Sequence, residues 1–109
     1  MIKKFYGGSF VNKEDLESQG INYPIKIEYY KICDNTQNKD IMIYGIEIIK
    51  TEYRDKNIIT ENKEVLNITR EEKEINNILD KLKKYQVTPV SANYVIEDLS
   101  YKKASLYFN

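Results

Sequence analysis

The chain reads as one α+β domain, an antiparallel sheet of three or four strands packed against one long and one short C-terminal helix. Three observations predict it. Residues Ile21 to Cys33 alternate apolar and polar side chains, the run Ile41 to Lys50 is apolar on both faces, and a helical stripe follows from Ile75 to Tyr85. Strands first and helices last is the order of an α+β fold. At 109 residues the chain has the commonest size of a single domain, so residues 1–109 are taken as one unit with its core in 21–99.

Each element has a local reason. In residues 1–20, Gly7, Gly8 and Ser9 interrupt any regular order, and Asn12 is placed to cap a short turn through Asp15, Leu16 and Glu17 that Gly20 ends. That segment is expected to be partly mobile. From Ile21 the odd positions Ile21, Tyr23, Ile25, Ile27 and Tyr29 form one apolar face, and Pro24, which has no ladder donor, marks the start of the strand. The polar stretch Asp34 to Asp40 then reads as a hairpin loop. In the second run, Met42, Tyr44, Ile46 and Ile48 make one face and Ile41, Ile43 and Ile49 the other, the mark of a central strand or one covered twice. After a polar turn at Arg54 to Asn57, the pieces at Ile58 and Ile59 and at Val65, Leu66 and Ile68 supply a third strand and room for a fourth.

The helical half is more strongly punctuated. Thr69 followed by Glu72 fits a capping box, and a helix from about Arg70 to Tyr85 then carries Ile75, Ile78, Leu79, Leu82 and Tyr85 on one stripe. Glu71, Glu72 and Glu74 lie in its first turn and Lys81, Lys83 and Lys84 in its last, matching the helix dipole. Pro89 bars continuation, and Ser91 opens a short helix with Tyr94, Val95, Ile96 and Leu99. Tyr23, Tyr29, Tyr44, Tyr85 and Tyr94 all fall on expected core faces.

Composition excludes more than it selects. There is no histidine, which removes the commonest general base and the usual zinc ligand, and the single Cys33 excludes an intramolecular disulfide and any multi-cysteine metal site. Lysine and arginine balance aspartate and glutamate at 17 each, and only Arg54 and Arg70 are arginine. No net field steers the chain to nucleic acid or an anionic membrane, so nucleic acid is an unfavoured partner. The N-terminus has no apolar stretch of signal-peptide length and no eighteen apolar residues run together, so a cytoplasmic location without membrane contact is expected.

Candidate sites fall away one by one. Asp34, Thr36, Asn38 and Asp40 alternate like calcium ligands, yet Lys39 stands where the loop needs glycine and Gly45 where it needs a bidentate glutamate. Glu47 with Lys50, and Glu28 with Lys31, are three apart on strands and point to opposite faces, so neither makes a catalytic pair. Glu97 and Asp98 diverge on a helix, Cys33 lacks a neighbour to activate its thiol, and Gly7 and Gly8 lack the rest of a phosphate loop. No catalytic, cofactor-binding or metal-ligating residue is assigned, and no cofactor is expected. What remains is an apolar patch of Tyr30, Ile32, Ile41, Ile43 and Ile49 on the sheet face away from the helix. Either residues 1–20 or the tail cover it, or it is a contact for a protein partner or a homodimer.

Two stretches carry a likeness to known proteins. Tyr44, Gly45, Ile46, Glu47 and Ile48, then Val87, Thr88, Pro89 and Val90 with Tyr94, Val95, Ile96, Glu97 and Asp98, resemble a small clostridial (Firmicutes) protein family of unknown function. Glu28, Tyr29, Tyr30, Lys31 and Ile32 would be its first strand, and Thr88 stands where serine is usual. The likeness implies a fold and a bacterial source, with no catalytic residue to carry over. The expected role is therefore a non-enzymatic interaction or regulatory module. Its rivals are an enzyme built from Asp, Glu, Lys and Tyr in one pocket, and a weak nucleic-acid binder needing Lys26, Lys31, Lys50 and Lys56 on one surface.

Overall fold

A computed structural model of the chain describes residues 1–35 and 40–99. Four strands, β1 (Ile2–Val11), β2 (Ile25–Asp34), β3 (Ile43–Tyr53) and β4 (Ile58–Thr69), form an antiparallel meander in the order β1-β2-β3-β4. A short helix α1 (Lys13–Leu16) with a 3₁₀ turn (Glu17–Gln19) links β1 to β2. After β4 come the long helix α2 (Glu72–Lys84), a 3₁₀ turn (Pro89–Ser91) and a last helix, α3, over residues 92–99. The α+β fold, the β2–β3 pairing and the central place of β3 are as the sequence predicts.

The first strand is a correction. Residues 2–11 are a regular strand whose Val11 pairs with Ile25 and Ile2 with Cys33, with a bulge between Phe5 and Gly7. The glycines that seemed to break order instead admit close neighbours. A Cβ at Gly8 would lie 2.7 Å from the Ile27 carbonyl oxygen, and one at Gly7 would meet the Lys83 side chain at 3.0 Å. At the end of the link, Gly20 takes a left-handed φ of 77° and its N–H donates to the Glu17 carbonyl, as expected of a terminating glycine. Asn12 holds its turn by its backbone carbonyl, which accepts from Asp15 N–H, and not by its side chain.

The two apolar pieces, read as a third strand with room for a fourth, are one strand, β4, broken by a bulge. Tyr44 pairs with Thr69 and Ile46 with Val65, so residues 66–68 stand opposite Gly45 alone, and Asn67 takes a φ of 55°. A Cβ on Gly45 would lie 2.5 Å from the Val65 carbonyl oxygen, which explains the glycine in an otherwise apolar strand.

α2 packs on one face of the sheet. Ile75, Ile78, Leu79 and Leu82 bury against Ile25, Ile27, Tyr29, Ile46 and Ile48, joined by Leu16, Val87, Ala92 and Ile96. Each isoleucine, leucine or valine among them contributes about 1.5–3 kcal/mol by leaving water. Tyr29 crosses the core to donate its hydroxyl to the Val87 carbonyl at 2.9 Å. The expected capping box is absent in this form. Thr69 Oγ1 accepts from Glu71 N–H and donates to Glu74, while Glu72 receives Lys31 from β2. Tyr85 and Tyr94, expected in the core, are 66% and 80% exposed. α2 ends at Lys84 and Gln86 turns left-handed at φ 51°, so Tyr85 leaves the helical stripe before it reaches the sheet.

Candidate interaction surface

The pairing register sorts every strand residue onto one of two faces, because partners across a ladder point the same way. Ile25, Ile27 and Tyr29 of β2 meet α2, so the alternate residues Lys26, Glu28, Tyr30 and Ile32 lie on the open face. Three rows cross it: Phe5, Tyr30, Glu47 and Glu64; Gly8, Glu28, Ile49 and Asn62; and Phe10, Lys26, Thr51 and Thr60. Tyr30, Ile32, Ile43 and Ile49 therefore share this face, as the alternation predicts. Ile41 precedes β3 and is exposed, whereas Ile32 is only 1% exposed and is not available to a partner.

A lysine strap crosses this face. Lys3 of β1 reaches Glu64 of β4 at 2.6 Å and Glu47 of β3 at 3.2 Å. Three strand spacings amount to about 14 Å, so the lysine and the glutamate stretch toward each other across β2 and β3. Both edges of the sheet are thereby tied together. Glu47, 6% exposed, also accepts from Asn62 Nδ2 at 3.1 Å, so its charge is compensated by Lys3 and a neutral donor. The hydrogen bonds to Glu64 and Glu47 in turn hold the Lys3 ammonium above its ordinary pKa.

Aromatic pairs flank the strap. Phe5 meets Tyr30 edge-on at 5.6 Å, and Tyr30 donates its hydroxyl to Glu28 at 2.8 Å, a bond that raises the phenol's pKa. Phe10 meets Tyr53 at 6.2 Å, with Lys26 over the same Tyr53 ring. Between the two phenylalanines, which are 63% and 56% exposed, runs a shallow groove of about 270 Å³ floored by Gly8 and walled by Lys26 and Glu28. Sequence reasoning missed Phe5 and Phe10, because it did not place residues 1–20 in the sheet.

The other charged groups are distributed as partners. Glu47 and Lys50 point to opposite faces, as do Glu28 and Lys31, in agreement with the sequence reading. Lys31 bonds Glu72 and Asn76 of α2, and Lys50 lies 3.4 Å from Glu52. Buried Glu52 also accepts from Arg54 at 2.9 Å, and Arg54 stacks 4.8 Å from the Tyr23 ring centre. Lys26, Lys31, Lys50 and Lys56 form no stripe: Lys26 is on the open face, Lys31 and Lys50 on the other, and Lys56 in the β3–β4 turn. Cys33 is a buried free thiol. Among the described residues, no group of three or more Cys, Asp or Glu is placed to hold a metal ion, and no helix is long and apolar enough to cross a membrane. Of the four residues weighed as calcium ligands, Thr36 and Asn38 lie outside the described residues.

A family model described as "Family of unknown function (DUF6514)" matches residues 9–102. No curated protein and no solved structure matches the chain.

Proposed function

Because the chain belongs to this family of unknown function, its role must be read from its own surfaces, and we propose that it is a non-enzymatic contact module that binds a protein partner on the open face of its sheet. The observation that carries this reading is the cluster of Phe5, Phe10, Tyr30, Ile43, Ile49 and Tyr53 on the face turned away from α2, with both phenylalanines more than half exposed. Aromatic side chains offer large contact area at low entropic cost, and a contiguous apolar patch rimmed by charge is a usual mark of a binding surface. Its charges are of both signs, Lys3 and Glu64 on the edge strands and Lys26 and Glu28 between the two phenylalanines. Such a mixture fits a polar protein surface better than a polyanion. A bacterial, Firmicutes source is part of the same reading, supported by the sequence motifs and the heavy use of lysine over arginine, and a cytoplasmic location is proposed with it.

Affinity capture from lysate of a Firmicutes bacterium tests it. The parent chain is expected to retain a defined protein that a Tyr30→Asp, Ile43→Asp double variant, shown to be folded by circular dichroism, does not. If the folded variant retains the same protein, the open face is not the contact surface.

A further inference from the structure

β1 is an edge strand, and among the described residues nothing pairs with its outer side. Its bulge centres the face pattern on a peptide, whereas a strand without one is symmetric about its residues. Lys3, Phe5, Gly8 and Phe10 share the open face while Ile2, Lys4, Gly7, Ser9 and Val11 share the face of α2, because the bulge at Tyr6 resets the alternation halfway along. Tyr6 itself points to α2, donating its hydroxyl to Asp80 at 2.6 Å. Reversing the strand about the Tyr6–Gly7 peptide exchanges Phe5 with Gly8 and Lys3 with Phe10, and leaves every side chain on its own face.

We propose that β1 pairs antiparallel with β1 of a second copy about a two-fold axis at Tyr6 and Gly7, seating Phe5 of each chain on Gly8 of the other. Each exposed phenyl ring then fills the glycine-floored groove of its neighbour, an aromatic covering a bare glycine across an antiparallel pair. Lys3 faces Phe10 and Lys4 faces Ser9, so no like charges meet. Parallel pairing in register would instead set Lys3 and Lys4 against their own copies. Pairing β1 with β4 of another copy would propagate without closing, whereas the two-fold pairing closes at two chains. The result is a continuous eight-stranded sheet, each copy contributing its four strands, with the open faces of both on one side.

The pairing uses the edge of the sheet and does not depend on a protein partner on its face. Sedimentation equilibrium of the full chain is expected to show a dimer, and Phe5→Glu to weaken association by about tenfold or more with unchanged circular dichroism. Ile43→Asp, away from β1, is expected to keep the dimer even where it loses a captured protein. Under mild oxidation, a mixture of Lys3→Cys and Phe10→Cys chains is expected to form a disulfide-linked mixed dimer that neither variant forms alone. A parent chain that stays monomeric across the concentration range overturns the proposal, as does a mixture that cross-links no more than its components.

Discussion

Tyr29 joins sheet and helical half through a single hydroxyl, and its titration makes that role measurable. Burial raises its pKa from 10.0 to about 12, and the hydrogen bond to Asp80 does the same for Tyr6. Between those values the folded state holds protons that the unfolded chain releases, so this contribution to stability is full below pH 10 and is lost as pH rises through the folded pKa. For Tyr29 the loss is on the order of 2 kcal/mol. Urea midpoints are expected to fall above pH 10 and to fall less in a Tyr29→Phe, Tyr6→Phe variant. Tyr29→Phe alone is expected to cost about 1 kcal/mol at neutral pH, since the Val87 carbonyl loses its donor. At the acid end, burial works to raise the Glu52 carboxyl, but Arg54 and Lys50 outweigh it and hold the pKa below 4.5. Its contribution is present above that ordinary value and disappears as pH falls through the lowered one. Acid titration followed by circular dichroism should therefore show a shallower loss for Glu52→Gln. Neither network was legible beforehand, because it takes the β2–β3 register to set Tyr23 beside Glu52 and the sheet order to bring Lys3 to Glu64.

Elements were legible where a single period ran unbroken. Ile75, Ile78, Leu79 and Leu82 repeat at helical spacing, and all four are buried. Leu79→Ala is expected to cost about 2–5 kcal/mol in urea denaturation, as a fully buried leucine at the sheet–helix contact should. β1 was missed because its alternation reverses at the bulge, so Phe5 and Phe10, an odd number of residues apart, share a face that simple alternation would deny them. The bulge in β4 hid that strand's continuity in the same way. Gly45→Ala tests the account of this crossing, since the added methyl meets the Val65 carbonyl in backbone that cannot yield cheaply. A loss of more than about 2 kcal/mol is expected by the same measurement.

At the scale of the molecule, one helical layer covers one face of the sheet and, among the described residues, leaves the other to Lys3, the aromatic pairs and the shallow groove. The apolar character of that second face was visible in Tyr30, Ile43 and Ile49. That Lys3 reaches across to Glu64 and that Phe5 and Phe10 belong to the surface depended on contacts between segments far apart in sequence. The account stands on this asymmetry between covered and open faces. Its most direct test is methyl NMR of the isoleucine-labelled chain titrated with a protein recovered by affinity capture. Shifts at the Ile43 and Ile49 methyls, with Ile75 and Ile78 unmoved, are the predicted result, whereas shifts confined to α2 and α3 with Ile43 and Ile49 silent would contradict it.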